Sequence, residues 1–183
     1  MFIQIQTTPN PQTLKFIPGV QVLAHGTISI MEGDKIEHIS IARDLFKVSG
    51  VSGVFMTEDF ITITKAPDAP EWHDMKPALL SVMLDHFASG KPIAVVARNE
   101  LGTPASIEDE IVRQICSIIE EQIAPAVRSD GGDIVFHEFV DGVVYLKLMG
   151  SCSGCPSASV TLKNGVENML RHYVPEVKRV EEA

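Results

Sequence analysis

Apolar and polar positions alternate along the first half of the chain in short runs that predict β-strands. These runs cover residues 3–6, 14–16, 54–56 and 60–64. Two other segments carry apolar residues at helical spacing, a short one from Ile41 to Val48 and a longer one from Met75 to Phe87. A glycine follows each within a few residues, as is common where helices end. The pattern predicts an α+β domain over residues 1–98, and this domain contains no cysteine.

The next segment has no apolar periodicity. Residues 99–105 contain a glycine and a proline, so we predict a linker there. A second domain then spans residues 106–183. Ser106 and Asp109 have the spacing of a capping box, and isoleucines at helical spacing follow them, which together predict the first helix of this domain.

Two strands, a second helix and a last strand complete the second domain. The pair Asp141-Gly142 lies between two apolar runs and favours a two-residue hairpin turn. Apolar residues return at helical spacing after Pro156, and a terminal strand is predicted around Val177 and Val180. The predicted order is therefore α-β-β-α-β. The fold class is α+β, with two small domains that each have a mixed or antiparallel sheet and helices packed on it.

Composition and charge narrow the classes of function. The 183 residues carry a formal net charge of -9 and no cluster of Lys and Arg, which argues against binding to nucleic acid. No apolar run approaches the roughly 20 residues of a membrane-spanning helix, and the first residues do not resemble a targeting peptide. Three cysteines are too few for a disulfide framework. We expect a cytoplasmic protein, or one of the mitochondrial matrix if this is a mature organellar form.

Two of the three cysteines, Cys152 and Cys155, form a Cys-x-x-Cys motif between the second predicted strand and the second predicted helix. Such a turn can bring two sulfur atoms within the roughly 3.8 Å that ligation of one metal ion requires. Pro156 follows directly, and proline is favoured in the first turn of a helix. Cys155 is therefore expected at a helix N-terminus, where amide groups and the helix dipole stabilise a thiolate. We expect both thiols to be exposed and outside any core.

The motif alone fits three chemistries, namely zinc ligation, an iron–sulfur cluster and dithiol redox exchange. Structural zinc needs four ligands, and neither Cys116 nor any of the six histidines forms a second closely spaced pair. A thioredoxin-like oxidoreductase would carry its motif early, after a strand of a βαβ unit, whereas this motif lies near the C-terminal end. Two thiolates are too few for a cluster that usually has four. A symmetric dimer would supply four.

Longer motifs in both domains resemble NifU-type (Nfu) iron–sulfur scaffold proteins. The Asp-Gly-Gly-Asp run at residues 130–133 and the Gly-Ser-Cys-Ser-Gly-Cys-Pro-Ser run at residues 150–157 are similar to the C-terminal domain of that family. The Thr-Pro-Asn-Pro run at residues 8–11, with Leu-Lys-Phe at 14–16, resembles the N-terminal domain that is often joined to it. The two resemblances together cover nearly the whole chain.

This resemblance implies a carrier of iron–sulfur clusters and not an enzyme. Cys152 and Cys155 match the cysteines that ligate the cluster, which is a [4Fe-4S] cluster shared between the two chains of a homodimer. The implied recipients are apo iron–sulfur proteins. The resemblance leaves three points open. They are whether an upstream scaffold is the source of the cluster, whether [2Fe-2S] is preferred, and what the N-terminal domain does.

The remaining candidate residues have plainer interpretations. Cys116 shares a helical face with apolar residues, which predicts a buried core thiol. The glycines between Asp130 and Asp133 favour a turn with positive φ, and a bound cation or a partner at these two carboxylates is the alternative. His137 is the one histidine on a strand that leads toward the cysteine motif.

Overall fold

The computed structural model of the chain describes residues 2–36, 39–90, 93, 110–152 and 156–183, with side chains from residue 162 onward in the last range. The chain divides into two compact units, Met1–Ala97 and Arg98–Ala183, and each has its own apolar cluster. The linker predicted at residues 99–105 lies outside the described residues, as do Ser106 and Asp109, and it stays a prediction. None of the helices in the described ranges combines the length and apolar character needed to cross a bilayer.

The first unit is built on a five-stranded sheet. Its strands are β1 (Gln4–Thr7), β2 (Thr13–Ile17), β3 (Ile28–Met31), β4 (Val51–Met56) and β5 (Ile61–Lys65). Their order across the sheet is β1-β2-β5-β4-β3, and all neighbouring pairs are antiparallel. Because side chains alternate between the two faces of a strand, every second residue is available to one core.

Two helices pack with one face of this sheet. They are α1 (Ser40–Leu45) and α2 (Trp72–Ala88). α2 carries the apolar residues whose spacing predicts it, whereas α1 ends before Val48. Phe16 and Ile63 of the central strands form one buried cluster with Ile41 and Leu79 of the helices. The predicted α+β class is confirmed for this unit.

The turn between β1 and β2 is held by its own side chains. Thr8 donates its hydroxyl proton to the carbonyl oxygen of Asn10 at 2.9 Å, and the Asn10 side-chain oxygen accepts from the backbone N–H of Gln12 at 2.9 Å. The indole N–H of Trp72 donates to the carbonyl oxygen of Pro11 at 3.0 Å. The Thr-Pro-Asn-Pro run thus forms the turn between β1 and β2, and Trp72 ties this turn to the start of α2.

Two features of the first unit differ from the sequence prediction. β3 is not predicted, because only Ile28 and Ile30 alternate there and the run is too short to stand out. Proline is tolerated in the first turn of a helix, but α2 begins at Trp72, so Pro77 falls in the second turn. Since proline has no N–H, it leaves out the hydrogen bond to the carbonyl oxygen of His73 that another residue would make.

The second unit holds a three-stranded sheet. β6 (Gly132–Val140) and β7 (Val143–Gly150) form an antiparallel hairpin, and the short β8 (Arg179–Glu182) pairs with β7 in parallel. Asp141 and Gly142 have φ angles of 51° and 85°, the pair of left-handed conformations that a type I′ hairpin turn requires. With α5 (Pro156–Tyr173) between β7 and β8, the predicted order α-β-β-α-β is confirmed.

One continuous helix precedes this sheet. It consists of α3 (Glu110–Ile118), a π-helical turn over Ile119–Ile123 and α4 (Ala124–Ser129). Pro125 explains the wide turn, because a proline inside a helix has no N–H and its ring clashes with the carbonyl group four residues earlier. The π turn inserts one extra residue. The side chains of α4 therefore point in other directions than they would if α3 continued as a regular helix.

Cys116 is not part of the apolar cluster. Its neighbour Ile115 is 0% exposed and lies in that cluster, whereas Cys116 is half-buried. The prediction of a core thiol is therefore wrong by one helical position. Partial burial raises the pKa of the Cys116 thiol.

We expect Ile115→Ala to lower the free energy of unfolding of the second unit by about 2 to 5 kcal/mol, because it leaves a cavity in the core. Cys116→Ala, at the next residue, should cost about 1 kcal/mol or less, since its side chain is partly in solvent already. Chemical denaturation of the two variants, followed by far-ultraviolet circular dichroism, measures the difference. Equal losses would contradict the assigned orientation of α3.

Candidate metal centre

The Asp-Gly-Gly-Asp turn and the start of the cysteine motif lie side by side at one end of the β6-β7 hairpin. Gly132 pairs with Gly150, and Asp133 pairs with Met149. Because β6 begins where β7 ends, the residues just before β6 meet the residues just after β7. The sequence shows both motifs, but it does not show their contact, since they are far apart along the chain.

Gly132 packs directly against Cys152. A Cβ atom added to Gly132 would lie 2.7 Å from the Sγ atom of Cys152 and 2.8 Å from the carbonyl oxygen of Met149. Both distances are shorter than any Cβ contact tolerates, so a side chain at this position has no room. Gly131, the preceding residue, is required for another reason. Its φ of 84° lies in the left-handed region that favours glycine. Gly131 turns the chain, and Gly132 makes space for the cysteine.

Ser151 attaches the cysteine motif to the turn. Its backbone N–H donates to the carbonyl oxygen of Gly131 at 3.2 Å, and its hydroxyl donates to the carbonyl oxygen of Asp130 at 2.6 Å. The same Oγ lies 3.9 Å from Sγ of Cys152. Because a carbonyl group can only accept, the hydroxyl proton is committed to Asp130, and Oγ presents its lone pairs to other neighbours.

Cys152 is buried, so the expectation that both thiols are exposed is wrong for this residue. It is 8% exposed and belongs to the apolar cluster of the second unit, which also contains Ile134 and Leu146. The physical reason is the close approach of Gly132, which no local sequence pattern reports. Cys155 lies outside the described residues. α5 begins at the next residue, Pro156, as the sequence predicts.

A partly buried ion pair lies at the same turn. Asp133 is 2% exposed, and its Oδ1 accepts hydrogen bonds from Nε of Arg128 at 3.1 Å and from the backbone N–H of Ile134 at 2.9 Å. Both terminal nitrogens of Arg128 donate to the Glu120 carboxylate, at 2.7 and 3.1 Å. Burial raises the pKa of Asp133, and the charge of Arg128 opposes that rise. The Asp133 carboxylate is thus engaged within the fold.

Arg128 and Glu120 are parts of this centre that are not predicted from the sequence. One signal was available, because Arg128 and Asp133 are opposite charges on the two sides of a glycine turn. A helix would bring together partners three or four residues apart, and it is the turn that closes the longer separation here. Asp130 takes part through its backbone carbonyl group, and its own side chain is exposed.

The described residues offer no further set of metal ligands. Among them, no three or more His, Cys, Asp or Glu side chains form a group that would hold a metal ion. His137 is exposed, at the point where the register between β6 and β7 shifts. Within the described ranges, the candidate centre therefore has one thiol, Cys152, with Cys155 expected beside it from the sequence.

Protein-family comparisons match both units of the chain. Residues 3–90 match the N-terminal domain of Nfu/NifU scaffold proteins, and residues 115–181 match the NifU-like domain. Together with an Asp-Gly-Gly-Asp turn packed against a cysteine motif, these matches define a two-domain scaffold protein of the NifU type.

Curated relatives identify the family within this class. The chain is 50% identical over its whole length to the NFU1 iron–sulfur cluster scaffold homolog, mitochondrial, of Drosophila willistoni, and it spans 63% of that protein. It is 45% identical over its whole length to the human protein of the same name, of which it spans 72%. The chain belongs to the NFU1 family of iron–sulfur cluster scaffold homologs, and the resemblance inferred from its motifs is confirmed.

Solved structures show a partial likeness. A solution NMR structure of a NifU-like protein from Saccharomyces cerevisiae is 27% identical to the chain, with a TM-score of 0.47. The match covers 52% of this chain and 85% of the yeast one.

Gly132→Ala should destabilise the second unit by about 1 to 3 kcal/mol, because the added methyl group overlaps Sγ of Cys152 and a backbone carbonyl oxygen. Gly165→Ala is the matched control. Gly165 lies in α5 with open space around it, so alanine there should be neutral or stabilise by up to about 1 kcal/mol. Thermal denaturation of the two variants compares them. A Gly132→Ala protein as stable as the control would show that the contact with Cys152 is not tight.

Proposed function

We propose that the chain binds a [4Fe-4S] cluster as cargo between two copies of itself, through Cys152 and Cys155 of each copy, and delivers it to apo-proteins. The family is one of scaffolds, and the proposal assigns no residue a catalytic role. The observation that carries it is the position of Cys152. Its thiol is fixed by Gly132 and Ser151 at the end of a hairpin, shortly before the helix that begins at Pro156.

The available donors fit an iron–sulfur cluster. The irons of such clusters are held by cysteine thiolates, and a [4Fe-4S] cluster takes four. One chain supplies two from its motif, and the described residues contain no further group of ligands. Cys116 lies on α3 and not in the motif, and we propose no ligand role for it. Two chains around a two-fold axis would supply the four thiolates, and this supports a shared cluster.

Burial of Cys152 bears on delivery. A recipient protein must bring its own thiolates to the irons before the thiolates of the carrier leave. Since Sγ of Cys152 is packed against Gly132 in the apolar cluster, we expect transfer to require that this contact opens.

The names of the relatives bear on location and partners. Both the fly and the human relatives are named as mitochondrial, which gives no support to the expectation of a cytoplasmic protein. We therefore propose the mitochondrial matrix for this chain, with apo iron–sulfur proteins as recipients. An upstream scaffold as the source of the cluster belongs to the same proposal.

Cys152→Ala and Cys155→Ala should each abolish retention of the cluster, because each removes two of the four thiolates of a symmetric dimer. Cys152→Ala should also cost about 1 kcal/mol of stability, since its thiol is in the core. Anaerobic reconstitution with iron and sulfide, followed by visible absorption, iron analysis and size-exclusion chromatography, measures the result. The native protein should be a dimer with four irons per two chains.

Cys116→Ala is the control for these variants and should reconstitute fully. Four irons on a strictly monomeric native protein would contradict the shared cluster. A colourless protein that holds stoichiometric zinc and unfolds on chelation would replace the proposal with a zinc module. A disulfide between Cys152 and Cys155 that cycles without metal would replace it with an oxidoreductase.

The N-terminal unit should affect the choice of recipient and not the binding of the cluster, because it contains no cysteine. A segment of residues 103–183 should therefore dimerise on reconstitution and hold as much iron per chain as the full-length protein. Its rate of transfer to a cognate apo-protein should be lower, since recognition surface has been removed. A segment that holds no cluster would make the N-terminal unit part of the site, and transfer at full rate would exclude it from recognition.

A further inference from the structure

We propose that the Arg128–Asp133 ion pair is a positioning element for the Cys152 thiol, which keeps Sγ in the core by holding the Asp-Gly-Gly-Asp turn closed. This inference deepens the proposed function and rests on it for its biological meaning. Neither residue is a ligand in this proposal. Both act through the backbone of the turn.

The ion pair joins the two ends of the turn. Arg128 is in the last turn of α4, and Asp133 is the second residue of β6. The bond between Nε of Arg128 and Oδ1 of Asp133, at 3.1 Å, spans the residues between them. Glu120, in the π-helical turn, fixes the other side of the guanidinium group with two hydrogen bonds. The guanidinium group is therefore oriented from both sides.

The residues spanned by the ion pair are those that hold the cysteine. The carbonyl oxygens of Asp130 and Gly131 accept the two hydrogen bonds from Ser151, the residue before Cys152. Gly132 contacts Sγ itself. The two hydrogen bonds from Ser151 and the contact of Gly132 with Sγ thus all involve the segment that Arg128 and Asp133 enclose, so a change in the shape of the turn is transmitted to Cys152.

Charge and burial give the expected direction. Asp133 is 2% exposed, and a buried carboxylate without its counter-ion is strongly unfavourable. When Arg128 is removed, Asp133 gains by moving toward water, and the backbone of the turn moves with it. That movement withdraws Gly132 from Sγ of Cys152, so the thiol should reach solvent more often.

The test uses full-length apo-protein in which Cys152 is the only cysteine, through Cys116→Ser and Cys155→Ser. The rate at which iodoacetamide alkylates Cys152 under native conditions reports its access to solvent. Arg128→Ala should raise this rate by about tenfold or more, because it leaves the buried Asp133 carboxylate without its counter-ion. Arg171→Ala is the matched control, because Arg171 also pairs with a glutamate, Glu167 at 3.8 Å, but lies on α5. It should leave the rate within about twofold, as expected for an exposed pair.

Ile115→Ala distinguishes a specific effect on the turn from a general loss of stability. This variant weakens the same unit without changing the turn, and alkylation through global unfolding follows the free energy of unfolding. The proposal requires faster alkylation in Arg128→Ala than in Ile115→Ala at equal or higher stability. It also requires that Arg128→Lys, which keeps the charge and a donor, restore most of the native rate. Rates that follow stability alone across all variants, or an unchanged rate in Arg128→Ala, would overturn it.

A second readout connects the ion pair to the cargo. With all native cysteines present, reconstituted Arg128→Ala should lose its visible absorption to a chelator several times faster than the unsubstituted protein and than Arg171→Ala. If the unsubstituted protein takes up no cluster, the proposed function fails, and the alkylation rates still decide this inference. If the cluster forms but alkylation and chelation are unchanged in Arg128→Ala, the inference fails and the proposed function stands.

Discussion

The contact between Gly132 and Cys152 is the constraint on which the second unit depends. It requires that residue 132 have no side chain, because a Cβ atom there would lie 2.7 Å from sulfur. It also requires that β6 and β7 be in the one register that places Gly132 opposite Gly150. The type I′ turn at Asp141 and Gly142 and the register shift at His137 together set this pairing from the other end of the hairpin. A slip of one residue would turn the strand over and separate the two motifs.

The helix before the sheet is irregular, and it leads directly into the Asp-Gly-Gly-Asp turn. Its π-helical turn rotates α4 relative to α3. Pro125 has no N–H and so cannot make the hydrogen bond of a regular α-helix at this point. Glu120 lies in the π-helical turn and Arg128 lies beyond it, and two hydrogen bonds join their side chains. A regular helix would carry a different phase at Arg128. The irregularity thus belongs to the same arrangement that fixes the cysteine.

Local patterns predict most of the fold and only part of the site. Alternation and helical spacing predict the hairpins, α2 and α5, since those elements bury one continuous face. β3 is not predicted because its apolar run is short. The burial of Cys116 is predicted wrongly because neighbouring positions on a helix differ by about 100° in direction. The burial of Cys152 was beyond any local pattern, because it results from a glycine that is distant in sequence. The ion pair at Asp133 was missed for the same reason.

A carrier of the kind we propose has to hold its cargo and also release it, and the burial of Cys152, one of its proposed ligands, bears on both. A fully exposed pair of thiolates would exchange its metal with any thiol in solution. A fully rigid core would keep the cluster from its recipient. Here Cys152 lies in the core, but its place there depends on one glycine contact, two hydrogen bonds from Ser151 and one ion pair. Such a local set of interactions can open without unfolding the sheet, since stability is not uniform across a domain. The cost of exposing the thiol is therefore set by the turn and not by the whole unit.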